Sequence, residues 1–206
     1  MRRWLLARSR LARPGTPTLA VIETQRPTRL GEQLIEFSRG TPWDEDIDPE
    51  QLRLEALHAI ASGARGLIFH SHEPLAIDTG PAALRTDAIR LVNMELRLLE
   101  PWIAAGQVTE ELAAGDATLQ VSVLQTDRSR LLIATQHASA QQFVLGPPPR
   151  SSASLLVSGV GASDQAYLLS LAGIKKLKIA HSGGGARIAL DNAPHAAAIV
   201  LTQDPL

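Results

Sequence analysis

Residues 18–25 read TLAVIETQ, a short apolar run that ends in the polar residues Glu23, Thr24 and Gln25. The run shows no polar alternation, which is typical of a strand buried on both faces in a parallel sheet. A second strand of this kind is indicated at residues 66–70, GLIFH. Polar and ionisable side chains therefore lie at the ends of two predicted parallel strands.

Helical signals surround the second strand. Residues 48–51, DPEQ, supply an N-cap, a proline at the first helical position and a glutamine that could close a capping box. Apolar residues at spacings of three and four predict a longer helix over 84–103, in which Glu95 should form a surface pair with a neighbouring arginine and Pro101 should end or kink the helix. Alternating helices and strands predict parallel α/β folding.

Beyond Gly106 the helical period ends, and short β-rich runs follow at spacings near ten residues. Such runs with turn signals between them predict a sandwich or jelly roll. We expect residues 107–117 to form a linker and residues 118–206 to form a β-sandwich that folds independently. The predicted strands are Thr118–Gln125, Ser129–Gln136, Gln141–Leu145, Ser154–Val160, Ala166–Leu171, Ile174–His181, Ala186–Asp191 and Ala197–Thr202.

Composition excludes several classes of function. The 206 residues contain 20 Lys and Arg against 21 Asp and Glu, so no basic field favours nucleic acid as a partner. No apolar run approaches the length that spans a bilayer, so a membrane is not an expected partner. The absence of cysteine excludes disulfides and thiolate chemistry, but localisation and oligomeric state stay open.

Three segments carry a family resemblance: VIETQRP at 21–27, PEQLR at 49–53 and ASGARGLIF at 61–69. Their order and spacing resemble the last quarter of the (β/α)8 barrel of retaining glycoside hydrolases, in particular microbial β-galactosidase-like enzymes with β-sandwich domains after the barrel. The resemblance implies an α/β part followed by an all-β part. Residues 1–106 would be the last two βα units of a (β/α)8-type barrel, and the β-sandwich would be an accessory domain.

The resemblance also implies roles for single residues. Glu23 would be the catalytic nucleophile, because active sites of these barrels lie at the carboxyl ends of strands, and Gln25, His70 and His72 would bind substrate. In this family the acid/base is a Glu after an Asn, and no Asn-Glu pair occurs in the sequence. The expected protein is a C-terminal fragment of a glycoside hydrolase-like protein that acts on carbohydrate and is inactive alone.

Other interpretations remain open. The chain could instead be a non-catalytic carbohydrate-binding or structural spacer protein, so its status as an enzyme is undecided. His70 and His72 are two residues apart and could ligate a metal from one side of a strand. Because the sequence fixes no third ligand, neither a metal nor a cofactor is predicted.

Overall fold

A computed structural model gives the structure of the chain. It describes residues 15–37, 47–76, 79–113, 119–136, 152–170, 173–182, 184–191 and 194–204, with positions 7, 11 and 13. The predicted strand Gln141–Leu145 lies outside the described residues, as does most of the N-terminal segment before Gly15.

The described elements alternate between helix and strand up to Ala105 and are strands beyond it. In chain order they are β1 Leu19–Glu23, α1 Thr28–Phe37, α2 Pro49–Ala61, β2 Gly66–His70, α3 Gly80–Ala105, β3 Gln107–Ala113, β4 Leu119–Gln125, β5 Ser129–Gln136, β6 Ala153–Ser158, β7 Gln165–Ser170, β8 Gly173–Leu177, β9 Ile179–Ser182, β10 Gly185–Leu190 and β11 Ala196–Thr202. None of the described helices is long and apolar enough to cross a membrane.

Strands β1 and β2 pair in parallel, as predicted, in a register that places Glu23 opposite His70. One face of this two-stranded sheet packs against α2 and α3, where Ile22 is 1% exposed. The other face is open, with Val21 55% and Ile68 47% exposed. The prediction that the strand at 18–25 is buried on both faces is therefore wrong for the described structure, since burial alternates along β1.

Helix α2 begins where the sequence predicts, because the Asp48 side chain accepts a hydrogen bond of 2.8 Å from the Glu50 amide. Gln51 does not act as the capping-box partner in the described contacts, and its amide instead donates to Glu55 at 3.1 Å. Helix α3 continues past Pro101 to Ala105. Pro101 is exposed, so water can bond the carbonyl that the missing N–H leaves free.

The described strands of the β half form two antiparallel sheets. One has six strands in the order β3-β4-β5-β11-β7-β8, and the other has three in the order β6-β10-β9. Residues 107–113, expected in a linker, form the edge strand β3 of the larger sheet. The single strand expected over Ile174–His181 divides at Lys178 into β8 and β9, which belong to different sheets. A strand that changes sheets in this way makes a corner between two packed layers.

The central strands of the larger sheet, β4, β5 and β11, are buried on both faces. One face shares a core with the three-stranded sheet, in which Leu132 and Ile199 are fully buried beside Ile188. The opposite face packs on α2 and α3 through Leu131 and Val200. This second core joins the two halves of the chain, and independent folding of the β half stays a prediction.

A buried ion pair between Arg53 of α2 and Glu95 of α3 lies beside the same junction. Arg53 donates to both carboxylate oxygens of Glu95, at 2.6 and 2.7 Å, and to the carbonyl of Ala196 in β11 at 2.6 Å. Glu95 is 2% exposed. The prediction of a surface pair at Glu95 is wrong, because this side of α3 faces α2 and β11 rather than solvent.

Candidate functional site

The candidate site lies at the carboxyl ends of β1 and β2. Glu23 ends β1 and His70 ends β2 in the same register, and their Oε2 and Nδ1 atoms lie 2.7 Å apart. The His72 ring meets the His70 ring edge-on at a centroid distance of 5.0 Å. The structure thus brings together Glu23, His70 and His72, three of the four residues that the sequence predicts for the site.

The strand end is fixed by hydrogen bonds from β1 to the segment that carries the histidines. The Thr24 amide and hydroxyl both donate to the His70 carbonyl, at 3.0 and 2.8 Å. Gln25 Oε1 accepts from the His72 amide at 2.9 Å and from the Glu73 amide at 3.3 Å, while the Ser71 hydroxyl donates to the Glu73 carbonyl at 2.7 Å. These bonds hold the backbone on both sides of Ser71 against β1.

Gln25 is therefore a positioning residue in this structure. Its side chain was expected to bind substrate, but the residue is 4% exposed and its amide oxygen accepts from two backbone amides of the β2–α3 loop. A buried acceptor that bonds several loop amides fixes the conformation of the loop. The groups left to face a ligand are the side chains of Glu23, His70 and His72.

The loop after β2 is also attached to α3. Arg85, whose side chain is 2% exposed, donates to the Glu73 carboxylate at 3.1 Å. The Thr86 hydroxyl donates to the Leu75 carbonyl at 2.9 Å. With Gln25 on one side and α3 on the other, the loop that carries His72 is held from both directions, which preorganises the histidines.

The chemistry of the site depends on the Glu23–His70 contact. Both side chains are half exposed. When Glu23 is ionised it accepts a hydrogen bond, so the proton of a neutral His70 ring sits on Nδ1 and Nε2 is left as an acceptor. The site therefore offers an open carboxylate beside an oriented imidazole.

A further carboxyl, Glu55 of α2, is electrostatically linked to Glu23 but was not among the residues predicted from sequence. Burial raises the pKa of Glu55 above its usual 4.5, and the negative charge of Glu23 raises this pKa further, while the hydrogen bond from Gln51 opposes both. In the sequence, this residue carries no signal beyond its place in a predicted helix. Helix α2 runs back from the carboxyl end of β1, which brings Glu55 within the field of Glu23.

No protein-family model matches the chain, and no curated protein matches it. Solved structures do match its fold. An α-fucosidase from Thermotoga maritima, solved with fucose, is 14% identical with a TM-score of 0.52 over 92% of this chain and 41% of its own. An α-amylase from Anoxybacillus is 18% identical with a TM-score of 0.56 over 97% of this chain and 41% of its own. AmyP, solved with maltose, is 14% identical with a TM-score of 0.54 over 97% of this chain and 44% of its own.

These likenesses define the class of fold. The chain has a glycoside hydrolase-like fold, rich in β-strand, and it spans less than half the length of each of these three structures. The three include an α-fucosidase and an α-amylase, so they support the wider glycoside hydrolase resemblance and not its β-galactosidase-like form.

Proposed function

We propose that the chain is the C-terminal part of a glycoside hydrolase-like protein that acts on carbohydrate, with Glu23 as the nucleophile. The observation that carries the proposal is the half-exposed Glu23 carboxylate at the carboxyl end of a parallel strand, in contact with His70. Catalytic groups of (β/α)8 barrels occupy this position. In this proposal β1, β2 and their helices are the last two βα units of the barrel, and the β half is an accessory sandwich.

The unpaired edges and the exposed face of the β1–β2 sheet support the proposal that further barrel strands belong to the same protein. Among the described residues these two strands pair only with each other, so each has one edge with free backbone donors and acceptors. Leu19 and Val21 are each 55% exposed on the same face as Glu23. Neighbouring barrel strands would pair both edges and cover these apolar side chains, as parallel sheets require.

In the proposed reaction, this chain supplies the nucleophile and the further barrel strands supply the acid/base. Glu23 attacks the anomeric carbon, while a second carboxyl about 5 Å away protonates the leaving oxygen in a retaining mechanism. That second carboxyl is proposed to come from the remaining strands. His70 orients Glu23 through the 2.7 Å contact, and His72, exposed beside it, can bond sugar hydroxyls.

A non-catalytic role is the alternative, and one observation favours a spacer over a binding module for the β half. Carbohydrate-binding surfaces use exposed aromatic rings. In the described part of residues 107–204 the aromatic residue is Tyr167, which is 7% exposed with its hydroxyl bonded to Gln165 at 2.7 Å. The described β half therefore presents no aromatic platform, and carbohydrate contact is assigned to the Glu23 end of the molecule.

Hydrolysis assays test the proposal. Aryl α-fucosides, α-glucosides and β-galactosides are offered to the 206-residue chain and to a polypeptide extended upstream in its reading frame. We expect no turnover by the short chain and turnover by the extended one. Glu23→Gln in the extended protein should lower kcat at least about a thousandfold, because the amide cannot attack.

The matched control is Glu36→Gln, an exposed glutamate of α1, which should leave the rate unchanged. Two outcomes would refute the nucleophile assignment: hydrolysis by the short chain that survives Glu23→Gln, or an extended protein whose kcat is equal in the two variants. An extended protein that binds maltose or fucose without hydrolysing any glycoside would support the non-catalytic alternative.

A further inference from the structure

The side chains at the end of the β1–β2 sheet also form a donor set for a metal ion, an inference that does not rest on glycoside hydrolysis. An ion bound there would occupy the Glu23 carboxylate, so the metal-bound form would not act as the nucleophile. The geometry points to a divalent transition-metal site formed by Glu23, His70 and His72, with Zn²⁺ as the best-matched ion. One ligand atom from each of these residues can be chosen so that all three lie within 4.8 Å of one another. The sequence supplies the two histidines, and the parallel register supplies the third ligand.

The donor set determines the type of metal. Two imidazole nitrogens and one carboxylate oxygen match Zn²⁺ and other late first-row ions, whereas Mg²⁺ and Ca²⁺ prefer sites built from oxygen. Three protein ligands also leave a position for water or another ligand, as in open zinc sites. All three residues are exposed, so an ion has direct access from solvent.

Small changes in the distances between the ligand atoms would give the geometry of a zinc site. Ligand atoms of a tetrahedral zinc site lie about 3.3 Å apart when the bonds are about 2.0–2.1 Å long. The Glu23–His70 contact is already shorter than this, at 2.7 Å, so the ion would replace that hydrogen bond with two metal–ligand bonds. His72 must approach by side-chain rotation, for which its exposed position leaves room.

The supporting hydrogen bonds favour a preformed site. Thr24 holds the His70 carbonyl with two bonds, and Gln25 holds the His72 amide at 2.9 Å. The backbone that carries both histidines is thereby fixed to the strand that carries Glu23. A fixed backbone leaves only side-chain torsions to be ordered when an ion binds, which favours a preformed site.

Calorimetric titration of the chelator-treated chain with ZnCl₂ tests the site. We expect one Zn²⁺ per chain, with affinity reduced at least about tenfold in Glu23→Gln and in His72→Ala, since even changes outside the ligand shell cost this much. The matched controls are Glu36→Gln and His181→Ala, an exposed glutamate of α1 and an exposed histidine of β9. Both controls should bind as the parent does, and Mg²⁺ at the same concentration should not compete.

Imidazole NMR spectra of the unmodified chain provide a measurement that needs no variant: Zn²⁺ should shift the ring signals of His70 and His72 and leave those of His181 in place. Absence of zinc binding, or equal affinity in site and control variants, would overturn the proposal. Because no sugar is present in either experiment, failure here leaves the glycosidase proposal standing. Equally, an extended protein without hydrolase activity would leave this metal proposal standing.

Discussion

Replacing Glu95 with alanine should lower the free energy of unfolding by about 3–5 kcal/mol, because the buried Arg53 guanidinium loses its buried counter-charge and keeps only the exposed Glu50 carboxylate, 4.0 Å away. The Arg53 and Glu95 side chains are only 10% and 3% exposed, so water cannot take over the lost interaction. Two of the three short hydrogen bonds of Arg53 disappear, and only the bond to the Ala196 carbonyl remains.

The exposed pair of Arg90 and Asp87 in the same helix gives the matched control. Their side chains are 74% and 65% exposed at a distance of 3.3 Å, so Asp87→Ala should cost less than about 1 kcal/mol. The double variant Arg53→Met with Glu95→Leu should recover much of the loss, because neither charge remains buried. Its residual cost comes from the Ala196 carbonyl, which loses a donor.

Urea denaturation followed by circular dichroism and by tryptophan fluorescence gives the free energies, with equal m-values required for the comparison. The reasoning is refuted if Glu95→Ala costs no more than Asp87→Ala. It is also refuted if the double variant is less stable than Glu95→Ala. That result would mean that the unpaired Arg53 charge in Glu95→Ala costs little, whereas the predicted magnitude of about 3–5 kcal/mol depends on that cost.

Three further predictions follow from the described contacts. Gln25→Ala should cost about 0.5–1.5 kcal/mol and speed amide hydrogen exchange at His72, because the part-buried loop amides lose their acceptor; unchanged exchange there would contradict the positioning role. Burial raises the pKa of Glu55 above 4.5, so the contribution of this residue to stability is complete below that pH and is lost as the pH rises through the folded-state pKa. Glu55→Gln should therefore gain stability relative to the parent between pH 4 and pH 7 in melting experiments. A difference that stays constant with pH would refute this. Gly106→Ala should destabilise the chain by about 1–3 kcal/mol because its new Cβ would meet the backbone carbonyl oxygen of Trp102. Gly66→Ala should be tolerated because its Cβ would meet only a methyl group of the Leu19 side chain; equal unfolding energies would count against both.

Signals carried by nearby residues made parts of the fold predictable. An aspartate N-cap followed by proline identified the start of α2, and two apolar runs separated by a helix gave the parallel order of β1 and β2. The boundaries of β5 were predicted without error, because its turn residues and β-rich composition are local. Glu23 and the two histidines could be placed at one sheet edge since parallel strands end on the same side.

Contacts between distant residues had to come from the tertiary structure. Strand β3 was missed because an edge strand gains its hydrogen bonds from β4, and its own sequence carries two consecutive glutamates. Burial of Glu95 depends on Arg53, which lies 42 residues away. The pattern of apolar residues within α3 carries no information about a partner so far away in the sequence.

The candidate site shows the same division. The sequence placed Glu23 and His70 at strand ends, but only the register sets residues 47 apart at 2.7 Å and gives the histidine pair a third ligand. Gln25 lies two positions beyond Glu23, and its sequence position cannot show whether the amide faces solvent or the loop beneath. The physical reason is that local sequence determines conformation and strand order, whereas burial and partners depend on which surfaces the complete chain brings together.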